Sequence, residues 1–199
     1  MNANPDSFDA VIAYFKAYFP LNSLERDEVL RFFLERKIKR RGFVLQQGDI
    51  CVNFTFIVSG CLKMYAVDQD GREHNLQFAA ENDWMTDLSS FYTEKPSQLY
   101  IEAVEPSVIM QIKHSDLLML YVNYHKFDRN FRIIVEQKFI KLQDRVLKNI
   151  SCTAEERYQY FVEQYPNLSN RLANTQIASY LGITPEFLSK IRKDLNRKG

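Results

Sequence analysis

Apolar residues recur every three or four positions at both ends of this chain and alternate with polar ones through its middle. Phe8, Val11, Ile12, Phe15 and Phe19 form one stripe, which predicts a helix over Ser7 to Tyr18 that Pro20 ends. A second stripe, Leu24, Val29, Leu30, Phe33 and Leu34, predicts a helix from Leu24 to Lys37 capped by Ser23. From Lys39 to Ile112 the period shortens to that of strands. Phe43 to Leu45, Phe54 to Val58, Leu62 to Val67, Asn75 to Ala79, Ser97 to Val104 and Val108 to Ile112 are separated by turn residues. Asp68 to Gly71 is a hairpin signal. Strands at this spacing predict an antiparallel barrel or roll.

Helical spacing returns over Ser115 to Ile150. Phe131, Ile134, Val135, Phe139, Leu142, Val146 and Ile150 make a stripe too long for a compact roll to cover with ease. The roll itself or the same helix of a second chain can pack on it; pairing fits better with the two-fold symmetry that the C-terminal segment calls for. Thr153 and Glu156 form a capping box that opens a helix with Tyr158, Phe161 and Val162 inward, stopping near Pro166.

Asn174 to Lys193 then has the spacing of a helix-turn-helix. Ala178 is small where two backbones approach, and Gly182 sits where the turn needs a positive φ. Ile177, Leu181, Ile183, Leu188 and Ile191 supply apolar contacts. Thr184 and Pro185 suit the N-cap and first turn of the second helix. Glu186, Ser189, Lys190 and Lys193 are left on its outer face. Thr175, Gln176, Arg192 and Lys193 are candidates for phosphate contacts.

Composition narrows the picture. The chain has 199 residues, 46% of them hydrophobic, and a net charge of +1, so no broad basic coat is available for nucleic acid. Basic charge is local: Ile183 to Gly199 holds five basic residues against two acidic ones. A second basic run, Arg36 to Arg41, reads as a solvated edge before a strand. Cys51, Cys61 and Cys152 form no ligand cluster and are expected to be reduced thiols, those of the roll serving as packing. No metal or cofactor is expected. The polar start and the lack of a long apolar run lead to the expectation of a cytoplasmic protein without a membrane partner. There is no GxSxG, HExxH, Walker loop or paired His/Cys/Asp set, so an enzyme is not expected.

The order of parts is specific. A roll framed by Gly48-Asp49, Phe56 to Gly60 and Asp68 to Gly71, a long helix and a helix-turn-helix together resemble the Crp/Fnr family of bacterial transcription regulators over nearly the whole chain. TAEERY and IASYLGITPEFLSKIRK are most similar to the short members common in Bacteroidetes. The resemblance implies an α+β protein: a cyclic-nucleotide-binding-like sensor roll over 1–114, a dimerisation helix over 115–150 and a winged-helix-like DNA-binding domain over 151–199. Only Asp194 to Gly199 follows the recognition helix, which leaves little for a second wing strand. The implied partners are a palindromic DNA duplex, a second copy, an unidentified small effector and RNA polymerase. In the dimer helix Phe131, Val135, Phe139, Leu142 and Val146 are the implied contacts.

Members that bind cyclic nucleotides use a glutamate for the ribose and an arginine ten residues later for the phosphate; here these positions are Asp87 and Ser97. A serine is a poor phosphate partner, so tight cAMP binding is not expected. Trp84, Met85, Phe91 and Tyr92 are expected in the roll core, although they could line an apolar pocket. Iron-sulfur and haem sensing lack their ligands: no cysteine precedes Cys51, His74 lies at a turn, and His114 and His125 lie in or near a helix. The family reads bases with a glutamate, a residue three on and a basic residue four on, which the resemblance assigns here to Glu186, Ser189 and Lys190 in a pattern that looks like the Fnr branch. Glu186 can accept from a cytosine amino group, Lys190 can donate to guanine, and Ser189 can reach either. The alternative is a ligand-binding module whose helix-turn-helix serves protein interaction.

Overall fold

A computed structural model describes residues 5–18 and 20–198; Phe19 of the first stripe and Gly199 of the basic tail lie outside the described residues. Helix α1 (Pro5–Lys16) buries Val11, Ile12 and Phe15 as its spacing predicts. Helix α2 (Ser23–Phe32) is capped one residue earlier than expected. Asn22, not Ser23, accepts the Glu25 amide at 2.9 Å, and Glu25 Oε2 accepts the Asn22 amide at 2.8 Å, completing a capping box.

The second helix is shorter than its stripe suggests. At Phe33 the backbone turns extended, and Leu34–Ile38 forms strand β1. Its five residues pair antiparallel with Gln111 to Ser107, so a ladder supplies the hydrogen bonds that further helix would have made. Leu24 and Leu34, expected inside, are 70% and 57% exposed. The basic run Arg36 to Arg41 thus begins on an edge strand, where charge opposes unwanted pairing with other strands.

The roll continues with β2 (Phe43–Leu45), β3 (Asn53–Ser59), β4 (Leu62–Val67), β5 (Glu73–Ala79), β6 (Trp84–Met85), helix α3 (Leu88–Thr93), β7 (Tyr100–Ala103) and β8 (Ser107–Lys113). Two four-stranded sheets result, in the orders β1-β8-β3-β6 and β2-β7-β4-β5. The pattern did not reveal β1, β6 or α3. At Gly60 (φ +95°) a Cβ would meet Ser107 Cα at 2.7 Å, so glycine alone fits the bend between β3 and β4.

Two helices follow in place of the single expected stretch: α4 (His114–Asn123) and α5 (His125–Ser151), separated at Tyr124. Beyond them are α6 (Ala154–Gln164), α7 (Asn174–Leu181) and α8 (Pro185–Lys198). The chain divides into two compact units. One comprises the residues up to Tyr65 together with Phe78–Val135; the other comprises Ala66–Gln77 and the residues from Glu136 onward. The hairpin tip therefore groups with the C-terminal helices, a division that differs from the linear partition at residues 114 and 150.

In the first unit Trp84 is the hub. Its ring lies 5.0 Å from Phe56, 5.2 Å from Phe54, 5.4 Å from Phe131 and 6.1 Å from Phe15. Met85 and Phe91 join it at 1% exposure, whereas Tyr92 is 48% exposed and outside the core. Phe131 is 2% exposed in this cluster. Its assignment to the dimer stripe is thereby corrected: the first turns of α5 are consumed by the roll, and Val135 is half-buried. Phe139, Leu142 and Val146, by contrast, are 58%, 54% and 50% exposed.

Phe131→Ala should cost about 3–5 kcal/mol, since it leaves a cavity among packed rings. Phe139→Ala should cost far less in the monomer. Urea unfolding followed by the fluorescence of Trp84, the single tryptophan, separates the two; equal losses would contradict the division of α5.

Candidate nucleic-acid interface

Thr153 opens α6 as its spacing predicts: its hydroxyl oxygen accepts the Glu156 amide at 3.3 Å and its amide donates to Glu156 Oε2 at 2.7 Å. The Thr153 amide, joined by the Thr153 hydroxyl donating to the same Oε2 at 2.9 Å, holds the Glu156 carboxyl below its ordinary range. Phe161 (1% exposed), Leu168, Leu172, Ile177, Ala178, Leu181, Leu188 and Ile191 are the buried apolar residues of the C-terminal helices. Gly182 ends α7 in the left-handed region (φ +69°), its amide directed at the carbonyls of Ala178 and Ser179. The Ile183 amide closes the turn on Ala178 O at 3.0 Å. Thr184 Oγ1 then accepts the Phe187 amide at 3.2 Å and starts α8.

This turn sets the outer face of α8. Glu186, Ser189, Lys190 and Lys193 are all exposed or partly exposed. Glu186 and Lys190 are one turn apart and project from the same side. The Ser189 hydroxyl is directed elsewhere, donating to Pro185 O at 2.9 Å. Thr175 is exposed at the start of α7. Gln176 is partly engaged, its Oε1 accepting the Ala173 amide at 2.9 Å. Arg192 faces inward: it donates to Asn174 Oδ1 at 2.6 Å and Ser169 O at 3.4 Å and lies 5.4 Å over the Tyr158 ring. It braces α8 and is not presented to a phosphate.

Among the described residues neither the segment between α6 and α7 nor the end of the chain forms a strand, so no wing is seen. Asp194 to Lys198 is helix instead. Leu195, half-buried, continues the inward spacing of Leu188 and Ile191, and that burial favours continued helix over an extended edge.

Within the same unit the hairpin tip is tied to α7. Asp68 Oδ1 accepts the Asp70 and Arg72 amides at 2.9 Å each, and Oδ2 meets His74 Nε2 at 2.7 Å. His74 is thus a surface partner of the turn. The Asn75 amide donates to Ser179 Oγ at 3.0 Å, Ser179 Oγ donates to Glu73 O at 2.7 Å, and Asn75 Nδ2 donates to Gln176 O at 3.3 Å. Arg145 of α5 completes the tie. It donates to Leu76 O, to Asn75 O at 3.2 Å and to Tyr180 O at 3.0 Å, with its guanidinium 3.9 Å over the Tyr180 ring. One arginine thereby satisfies carbonyls of both the hairpin and α7. No spacing argument pointed to Arg145 or Asn75; the only sequence signal was a cation placed beside an apolar stripe.

In the first unit Asp87 and Ser97 are brought together, but they satisfy each other. The Ser97 hydroxyl donates to Asp87 Oδ2 at 2.7 Å and accepts the Leu99 amide at 3.0 Å. Asp87 Oδ1 caps α3 by accepting the Ser89 and Ser90 amides at 3.1 and 3.3 Å. Both residues are buried, and the adjoining cleft of about 430 Å³ is lined by Ser89, Thr93, Lys95 and Gln98 among others. Lys95 is exposed, so the inner wall offers a carboxylate and hydroxyls where a phosphate would need a cation. Cys51 and Cys61 are buried and not joined in a disulfide, and burial pushes the Cys51 thiol up to about 11. No group of metal-ligating side chains is found among the described residues, and no helix among them is long and apolar enough to cross a membrane.

Residues 35–124 match the family model of the cyclic nucleotide-binding domain. No curated protein sequence matches the chain significantly. Solved structures do match. FixK2 from Bradyrhizobium japonicum superposes with a TM-score of 0.74 at 19% identity, covering 84% of this chain and 86% of that one. The c-di-GMP responsive global regulator CLP of Xanthomonas campestris gives 0.69 at 14% identity, with 87% and 91% covered. A protein from Eubacterium rectale described as a transcriptional regulator of the crp/fnr family gives 0.71 at 15% identity, with 94% and 89% covered. At these identities the likeness is one of fold. The fold class is thus α+β, an antiparallel roll of the cyclic-nucleotide-binding type with C-terminal helices.

Arg145→Ala should loosen the hairpin and α7 together. Hydrogen exchange at the amides of Asn75 and of α7 should speed up at least tenfold, while exchange in β3 and β8 stays unchanged. Unchanged exchange at Asn75 would mean that the tie adds nothing to local stability.

Proposed function

We propose that this chain is a DNA-binding transcription regulator of the Crp/Fnr type, acting as a homodimer on a palindromic duplex. The observation that carries the proposal is the pairing of Glu186 and Lys190. One acid and one ammonium stand outward, a turn apart, on a helix whose opposite side is anchored by Leu188 and Ile191. In a major groove, Glu186 would accept from a cytosine amino group and Lys190 would donate to guanine N7 and O6. Thr175 and Lys193, both exposed, would meet phosphates.

Two-fold symmetry is supported by α5. Val135, Phe139, Leu142 and Val146 follow steps of four, three and four, and the last three are half or more exposed. A second copy of the same helix would cover that seam by coiled-coil packing. Two reading helices would then meet half-sites one helical turn apart. The sensor is read as unresponsive to cAMP, because Ser97 and Asp87 close on each other without a buried cation. An effector of other chemistry would act by favouring one of two dimer geometries.

Lys190→Ala should lower affinity for a selected duplex by about 1–3 kcal/mol per half-site and relax specificity at one base pair. Fluorescence anisotropy across a salt series checks this, with affinity expected to fall as salt rises. Binding indifferent to both salt and Lys190 would overturn the proposal. Millimolar cAMP should leave the melting temperature unchanged; a rise of several degrees would contradict the reading that Asp87 and Ser97, bonded to each other, offer a phosphate no partner.

A further inference from the structure

Resting on the regulator reading above, we propose that Phe187 is a base-reading residue that recognises the C5-methyl group of a thymine in each half-site. Phe187 is 45% exposed, and no other large hydrophobic residue of α8 is exposed to that degree among the described residues. Its amide is fixed by Thr184 Oγ1 at 3.2 Å, so the first turn that carries the ring is held in place.

Residues on a helix advance about 100° each. Glu186, Lys190 and Phe187 therefore occupy one arc of about 100°, with Lys190 between the other two. Ser189 lies on the far flank of Glu186, and its hydroxyl is already committed to Pro185 O at 2.9 Å. The outward arc at the start of α8 thus holds an acid, an ammonium and a phenyl ring.

Each of these groups has a different counterpart on base edges. The first two match cytosine and guanine. A phenyl ring has no hydrogen bond to offer, and the apolar feature of the major groove is the thymine methyl. Phe187 and Lys190 are three residues apart, about 4.5 Å along the helix axis, and a base step is about 3.4 Å. The thymine is therefore assigned to a base pair next to the guanine that Lys190 reads. Contact with the methyl would also remove an exposed aromatic ring from water, a gain available only in the bound state.

The test replaces each thymine of the selected half-site, one at a time, with deoxyuridine, which lacks only that methyl group. The wild-type protein should lose about fourfold in affinity per half-site at one position, the value of withdrawing one methyl from an apolar contact. Phe187→Ala should bind the thymine and uracil duplexes equally at that position. Lys190→Ala should bind both more weakly yet keep the difference between them. Phe187→Leu, which retains an apolar side chain, should keep part of the discrimination. If no position discriminates for the wild type, or Phe187→Ala still discriminates, the assignment to Phe187 is wrong even though the regulator reading stands. If no duplex binds at all, both fail.

Discussion

The C-terminal head depends on one residue in a left-handed conformation. Gly182 at φ +69° lets the chain leave α7 and enter α8 within three residues. The carbonyl of Ala178 takes two of the amides released by that bend. Any side chain with a Cβ would be strained there whatever the surrounding space. Because the bend is fixed, Leu188 and Ile191 are inward, and Glu186 and Lys190 are outward by necessity. The chemistry of the outer face follows from a backbone constraint several residues away.

Helix α5 belongs partly to each of the two units. The first turns of α5 are spent on the core around Trp84, through Phe127, Phe131 and Ile134, which fixes one end of the helix. Its later turns leave Phe139, Leu142, Val146 and Ile150 exposed, an apolar seam that a monomer does not cover. Meanwhile Arg145, on the same helix, bonds to the hairpin and to α7 at once. Strands β4 and β5 run from the first unit into the hairpin tip of the second, as α5 does along its own length.

Much of this was legible in the sequence, for identifiable reasons. Gly182, Ala178, Thr184 and the Thr153 box are local devices whose spacing alone determines their conformation, and each is found as expected. Strands with alternating patterns and glycine turns were equally readable. What escaped were features decided by distant partners. Leu34 to Ile38 has a helical stripe, but it is recruited by β8 as an edge strand. Phe131 shares the period of Phe139 yet belongs to the roll, because only the three-dimensional position of Trp84 separates them. Asp87 and Ser97 were matched by position, whereas their mutual hydrogen bond depends on the loop that joins them. Phe187 is marked by its exposure, which periodicity does not reveal. The resemblance implies a wing, of which no strand is seen among the described residues; Asp194 to Lys198 continue α8.

The most direct test of the central claim, that two outward-facing α8 helices enter neighbouring major grooves, is a hydroxyl-radical footprint of the protein on a duplex it selects. The account predicts two protected patches related by a two-fold axis and separated by one helical turn, about 34 Å. A single patch without symmetry, or protection at a spacing that puts the two heads on opposite sides of the duplex, would contradict it.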